Sequence, residues 1–296
     1  MRGGTEPAAW HIGVIGGSGL AEGVALEDAQ EIEVASPFGA PSGPVTTGSL
    51  GGVRFTFMAR HGAGHRIPPG EVNFRANIDV FKRCGVTDLL ALSAVGSLQE
   101  GLAPGQFVAV DQFIDRTAGR PSSFFSAGLV AHVSLADPVC PRLSGFAAQA
   151  ARAAGGTVHQ GGTYIAIEGP QFSTRAESAL YRQWGAHVIG MTAMPEARLA
   201  REAELPYALL AMVTDYDCWR EEAAGVEAAE VFAVMRGNAE RARSALRELA
   251  ALLPPVREAS PIDHSLEFAF ATAPEARDAR LSAMLDAVAG RALMRQ

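Results

Sequence analysis

Cysteine is scarce in this chain, and what there is lies scattered. Cys84, Cys140 and Cys218 stand far apart, with no Cys-x-x-Cys pair among them. That argues against a disulfide scaffold and against a zinc site, and it suits a reducing cytoplasm. No block of lysine and arginine occurs, and the formal net charge is −7. Binding to nucleic acid by neutralising its phosphates is therefore not expected. A local anion site is still compatible with that charge. No apolar run reaches the length of a membrane span, and Met1 to Trp10 lacks the apolar segment of a signal peptide. There is no internal repeat. Charged residues are only 19% against 48% hydrophobic ones, too little charge and too much apolar surface for a disordered chain. With 296 residues and 32 glycines, the composition is that of a compact α/β protein with a sizeable core.

Apolar runs alternate with amphipathic ones. Strands are read at His11–Ile15, Val53–Met58, Asp88–Val95, Phe107–Phe113, Thr163–Glu168, His187–Met191 and Tyr207–Val213. Helical spacing is read at Glu71–Cys84, Leu143–Ala154, Arg175–Trp184, Glu196–Ala203 and Val226–Leu253. A further helix is read in the tail, over Pro274–Leu293. Strands alternating with helices predict a mostly parallel sheet covered on both faces. Pro254-Pro255 ends the long helix, because proline cannot continue it.

In such sheets ligands sit outside the carboxyl ends of strands, so residues there carry the most interest. Asp215 and Asp217 follow the run Tyr207–Val213. Carboxylates at that place can accept from ring N–H and amino groups, or pass a proton to a ring nitrogen. Gly16-Gly17-Ser18-Gly19 follows the first strand and could cradle an anion with its N–H groups, although a tight strand-exit turn would look the same. It is not a dinucleotide fingerprint, since the third glycine would fall on Glu22, and no Gly-Lys-Ser/Thr follows as in a Walker loop. Arg60-His61 ends another strand, and an arginine fork fits phosphate bidentately, with histidine as a further donor. Ser93-Ala94 offers a hydroxyl and an N–H at a third strand end. Phe172, just after Glu168-Gly169-Pro170, is either core or a platform for an aromatic base, where stacking contributes roughly 1–3 kcal/mol.

Together these segments resemble the trimeric purine nucleoside phosphorylases, most closely their methylthioadenosine phosphorylase branch. The resemblance is carried by Gly13–Leu20, Arg60-His61-Gly62, Ile67–Asn77, Asp111–Arg116, Glu168–Arg175, Met191-Thr192 and Thr214–Trp219. It implies an α/β, single-domain purine nucleoside phosphorylase-like fold with a central mixed β-sheet flanked by helices. Residues 1–10 would form an N-terminal extension, and residues 11–296 the phosphorylase domain with its C-terminal helical tail. It implies phosphorolysis of 5′-methylthioadenosine to adenine and 5-methylthioribose 1-phosphate. Phosphate is then a co-substrate, with no metal and no organic cofactor. It also implies a homotrimer with active sites near the subunit interfaces. By position, Ser18, Arg60, His61, Ser93, Ala94 and Thr192 look like the phosphate site. Met191 looks like the residue beneath the ribose. Phe172, Ser173, Asp215 and Asp217 look like the base side, with the two aspartates as the catalytic pair. Ala228 and Val231 look like the lining of the 5′ pocket. His132 looks like the residue a neighbouring subunit sends over the 5′ end of the substrate.

Two other readings compete. A phosphorylase for 6-oxopurine nucleosides or methylthioinosine needs a donor opposite O6, whereas an ionised Asp217 is an acceptor and suits an amino group. A nucleotide-binding oxidoreductase or a purine-sensing module would use the glycine loop alone. The failed fingerprint speaks against the first of these, and the full set of phosphate-site residues against the second.

Overall fold

The computed structural model describes residues 9–17, 20–220 and 228–294. In chain order the strands are β1 (His11–Gly16), β2 (Glu27–Ile32), β3 (Val45–Leu50), β4 (Val53–Ala59), β5 (Asp88–Ser97), β6 (Phe107–Val110), β7 (Gln112–Arg116), β8 (Val158–Gln160), β9 (Thr163–Ile167), β10 (Val188–Gly190) and β11 (Tyr207–Asp215). The helices are α1 (Phe74–Arg83), α2 (Pro141–Ala153), α3 (Arg175–Gln183), α4 (Ala193–Glu202), α5 (Ala228–Leu252), α6 (Ala279–Met284) and α7 (Asp286–Leu293).

β5 and β11 are apolar almost throughout because both of their faces are covered. Along β5, Leu89, Ala91 and Val95 point into a cluster with Ile78 and Phe81 of α1 and Ala197 and Leu199 of α4. Leu90 and Leu92, one step out of phase, join Leu143 of α2 and Leu246 and Leu249 of α5. The helices thus form a layer on each side of the sheet.

The sheet is mixed, where strand–helix alternation alone suggested a mostly parallel one. β5 lies parallel to β1 and β11, whereas β10 runs antiparallel to β5 and β6 antiparallel to β11. The run Phe107–Phe113 is two strands rather than one. The chain leaves β11 at Val110 and joins β9 at Gln112, turning at Asp111, whose carboxylate accepts from the Gly162 N–H at 3.0 Å. The pairings therefore close a ring through β5, β11, β6 with β7, β9 and β10.

Other expectations needed correction. The tail is not one helix over Pro274–Leu293. A 3-10 turn at Pro274–Ala276 gives way to extended backbone at Arg277, and the Asp278 side chain then caps α6 by accepting from the Leu281 N–H. Regular helix in α4 begins at Pro195, because Met194 is extended (φ −117°, ψ 135°), as a residue before proline prefers. β2 and β3 were not read from the sequence. β2 is Glu-Asp-Ala-Gln-Glu-Ile, exposed throughout, so it has no apolar alternation to betray it. β3 is tied to β4 by Gly51-Gly52, both at positive φ (56° and 80°), the glycine pair that a two-residue hairpin favours. β8 is three residues long, too short for a periodic signal.

One consequence of this topology places the site. β1 pairs with β5 only as far as Ala91. β10 meets the same strand from the opposite direction, at Gly96 and Ser97. The stretch of β5 between them has no strand partner in either of these pairings. This is a switch point, where a sheet leaves a crevice for a ligand.

Candidate active site

Ala94 is exposed in the middle of a strand whose neighbours Ser93 and Val95 are buried. An open residue there means that the crevice reaches solvent. Because β10 runs back along β5, its exit brings Thr192 to Ser93, with their hydroxyls 3.5 Å apart. The Tyr164 hydroxyl lies 3.5 Å from Ser93 Oγ and accepts from the Thr192 N–H at 3.3 Å. Gly190 is glycine for lack of room, since a Cβ there would lie 2.0 Å from the Tyr164 oxygen. Ser18, which the resemblance adds to this group, lies outside the described residues.

Arg60 ends β4 at the same crevice and is 2% exposed. Its backbone N–H donates to Gly16 O at 2.8 Å, which ties the ends of β1 and β4 together. Its guanidinium is not free to grip phosphate bidentately, and the sequence reading is corrected here. Nε and Nη2 donate to the two carboxylate oxygens of Glu196, at 2.7 and 3.0 Å. Nη2 also donates to Ile15 O, and Nη1 to Leu92 O. Of the five N–H donors of an arginine, one on Nη1 is left. Tyr207 donates to Glu196 as well, at 3.0 Å. Burial works against the Arg60 charge, but the Glu196 ion pair more than offsets it, and the guanidinium stays above its ordinary range.

His61 also differs from its sequence reading as a donor. Its Nδ1 lies 2.8 Å from Ile67 O, an oxygen that only accepts, so Nδ1 carries the hydrogen. Burial, helped by the nearby Arg60 charge, lowers the ring to about 4. At neutral pH the ring is uncharged and presents Nε2 as an acceptor. A monoprotonated phosphate has one O–H to give such an atom.

The base side lies farther along β5. Asp215 is in register with Gly96. Gly96 lies three residues on from Ser93, about 10 Å of extended chain, a span that phosphate, ribose and purine together can fill. Gly96 keeps the floor flat, since a Cβ there would come within 3.2 Å of Asp215 Oδ1 and 3.4 Å of Asp217 Cβ. Asp215 Oδ1 accepts from the Asp217 N–H at 3.0 Å, and Oδ2 lies 2.6 Å from the Thr214 hydroxyl. Burial pushes both carboxyls above their ordinary range; the charge of Asp217 adds to the shift of Asp215, while Ser178 and the Cys218 backbone pull Asp217 back. Asp217 Oδ2 and Ser173 Oγ are buried without a hydrogen-bond partner among the described residues. Phe172 is 83% exposed, so it is not core. His132 is exposed on a different segment, its N–H held by Ala269 O. Ala228 and Val231 fall in the first turn of α5, and their side chains lie outside the described residues.

Two positioning groups were missed by sequence reasoning. Glu196 is one; no role was read for it from the sequence. The other is Arg120, 9% exposed. Its Nη1 donates to Met191 O and Met194 O, at 2.7 and 2.9 Å. Its Nη2 donates to Glu168 O and its Nε to the Glu168 carboxylate. It thus ties the exit of β9, which leads to Phe172, to the exit of β10, which carries Met191. A loop arginine with no motif around it gives no signal of this in sequence.

Residues 11–251 match the phosphorylase superfamily, and the chain belongs to that family. The S-methyl-5′-thioadenosine phosphorylase of Cereibacter sphaeroides is 56% identical over 284 residues, covering 95% of this chain and 98% of that protein. That of Geobacter sulfurreducens is 50% identical, covering 94% and 98%. Among solved structures, a methylthioadenosine phosphorylase from an antarctic soil metagenomic library superposes with a TM-score of 0.90 at 45% identity, covering 95% of this chain and 99% of that one. The methylthioadenosine phosphorylase of Schistosoma mansoni with tubercidin gives 0.76 at 39% identity, covering 82% and 91%.

Proposed function

We propose that the chain cleaves 5′-methylthioadenosine with phosphate, giving adenine and 5-methylthioribose 1-phosphate. The observation that carries this is the pair of raised aspartates beside Gly96, with Asp217 Oδ2 unpartnered, about 10 Å along one strand from a cluster of hydroxyls. The names of the similar proteins agree with it.

Breaking the glycosidic bond builds positive charge on the sugar and negative charge on the departing purine. Phosphate in the crevice, held by Ser93, Thr192, the Ala94 N–H and the last N–H of Arg60, supplies the anion under the sugar. His61 Nε2 accepts from a protonated phosphate oxygen, and Ser18 belongs to the same group. Met191 packs beneath the ribose, and Phe172 covers the base. Asp215, protonated, donates to the purine nitrogen where charge builds up. Asp217 takes the hydrogen of the exocyclic amine and Ser173 adds a hydroxyl. No metal or organic cofactor enters these steps. Exposed His132 fits a residue lent to a neighbouring copy, and the assembly is read as a homotrimer in the cytoplasm. No helix among the described residues is long and apolar enough to cross a membrane.

One observation favours a second reading. Burial raises Asp217 too, and a protonated Asp217 would donate to a carbonyl at C6. Methylthioadenosine, adenosine, inosine and methylthioinosine, each with and without phosphate, separate the cases. Phosphate-dependent release of adenine from methylthioadenosine is expected to dominate. Equal turnover without phosphate would make the protein a hydrolase, and a preference for methylthioinosine would establish the 6-oxopurine reading. Sedimentation should show three subunits, and a fully active monomer would overturn the shared site.

A further inference from the structure

In the reaction just proposed, Asp215 gives up a proton and is left as a carboxylate in a buried place beside a second acid. Thr214 stands where that new charge appears. It is 7% exposed. Its Oγ1 lies 2.6 Å from Asp215 Oδ2 and 3.1 Å from the carbonyl oxygen of Val95, on the neighbouring strand β5. A threonine hydroxyl has one hydrogen. It cannot serve both oxygens at once, and the Val95 oxygen can only accept. The choice between them depends on what Asp215 is. Two oxygens 2.6 Å apart must share a hydrogen, so a neutral Asp215 rests its own hydrogen on Thr214 Oγ1, and the Thr214 hydrogen lies on Val95 O until Asp215 turns its hydrogen to the substrate. An ionised Asp215 is the stronger acceptor and draws the hydrogen to Oδ2.

We propose that Thr214 is a positioning residue for proton transfer, its hydroxyl turning from Val95 O to Asp215 Oδ2 as Asp215 ionises. This rests on the phosphorolysis reading above. In the step, the C1′–N9 bond breaks and its electron pair stays with the purine. A phosphate oxygen supplies the pair for the new C1′–O bond, and the Asp215 proton passes to a purine nitrogen. The Thr214 hydrogen stays on Thr214 and only changes direction. The backbone N–H of Asp217, fixed on Oδ1 at 3.0 Å, holds the carboxyl still while this happens.

The surroundings leave this hydroxyl a clear part. Burial and the Asp217 charge raise the Asp215 carboxyl, and the Thr214 bond pulls it back. Asp217 and Cys218 follow on the same loop, with Arg220 over the Tyr216 ring at 4.5 Å. From α3, Glu177 and the Ser178 side chain act on Asp217, whose charge in turn adds to the burial that raises Tyr181, and Arg175 donates to Cys218 O. β5 brings Val95 and Gly96, β10 brings Ile189, and α5 brings Asn238, whose amide donates to Val213 O. None of these four ionises.

The test compares kcat against pH for the full-length wild type, Thr214→Val and Thr214→Ser. Thermal midpoints are recorded, and Thr214→Ala stands in if the valine variant does not fold. Two substrates are used: 5′-methylthioadenosine, and the 4-nitrophenyl 5-methylthioriboside, whose leaving group departs without a proton. Losing a hydrogen bond to a carboxylate should lower kcat on methylthioadenosine ~10-fold or more and make Asp215 a weaker acid, moving the alkaline limb up by about one pH unit. Serine should restore both, and the nitrophenyl substrate should respond to neither change. An unmoved limb, an equal loss on both substrates, or a serine variant as impaired as valine would overturn the role of Thr214. Wild type that releases no adenine with phosphate would instead defeat the reaction itself.

Discussion

The two ends of the crevice are built on opposite terms. At the phosphate end the described charged groups are already answered within the chain: Arg60 is neutralised by Glu196, Glu196 is held by Tyr207, and His61 is uncharged. At the base end the polar groups are answered only in part: two acids stand close together, both pushed toward the neutral form. Asp215 is held by Thr214 and the Asp217 N–H, and Asp217 is pulled back by Ser178 and the Cys218 backbone. Among the described residues, however, Asp217 Oδ2 and Ser173 Oγ have no partner at hydrogen-bond distance. The first arrangement fixes geometry and lets a mobile ion come and go without a strong net charge to trap it. The second stores unmet hydrogen bonds, which a substrate of the right pattern satisfies. Buried groups without partners cost free energy, so they mark where discrimination between ligands is made.

The largest effect should therefore appear at the base end, in the choice of substrate. A site whose buried polar group is left unpaired can reject an analogue by as much as ~10⁴–10⁵. Wild type should prefer methylthioadenosine to methylthioinosine by orders of magnitude, and Asp217→Asn, which can donate to O6, should narrow that gap. Parallel kcat/KM measurements on the two substrates decide it, and a gap that does not narrow removes Asp217 from base choice.

Next comes Asp215→Asn. Removing a general acid should lower kcat by roughly 10²–10⁴ on every purine substrate. The wild-type activity should fall as pH rises through the raised pKa of Asp215, because the acid form does the work. An asparagine variant with near-normal kcat would mean that the proton comes from elsewhere.

At the phosphate end, Arg60→Ala strands Glu196, which has 1% of its side chain exposed. Breaking such a pair costs about 3–5 kcal/mol of stability, and the apparent KM for phosphate should rise as well. The comparison sharpens with Arg60→Met combined with Glu196→Leu. That pair should regain much of the stability, as read by denaturant melts, and still bind phosphate poorly. Recovery of both would mean that Arg60 acts only as a strut.

The smallest effect is on stability against pH. His61 and His11, both buried, are lowered from 6.5 to about 4. Between those values the unfolded chain binds protons that the folded chain refuses, so stability present above pH 6.5 is lost as pH falls toward 4. The loss is at most about 3 kcal/mol for each ring, and roughly half that after solvent screening. The raised aspartates act in the opposite sense, becoming less costly to bury as pH falls. Melting midpoints of His61→Gln against wild type, from pH 7 to pH 4.5, isolate the His61 part. Identical slopes would show that the ring is not held neutral.

The sequence by itself determined the elements that carry the chemistry. Continuous apolar runs read as strands at β1, β5, β9, β10 and β11, because burial on both faces leaves no room for polar residues, and β4 was read from its alternation. The residues at the ends of those runs were legible for the same reason, since a strand must stop where its polar residues begin. Strands with no apolar pattern, such as β2, were not legible, and neither was the division at Asp111, where one apolar run serves two partners. Only the tertiary structure decided how polar groups from distant segments share their hydrogen bonds. Nothing near Arg60 announces that its donors go to Glu196, 136 residues away, or that Arg120 clamps Glu168 and Met191. The reason is physical. Hydrophobic pattern is a property of neighbours in the chain, whereas the satisfaction of a buried donor depends on which acceptor the fold brings within 3 Å of it.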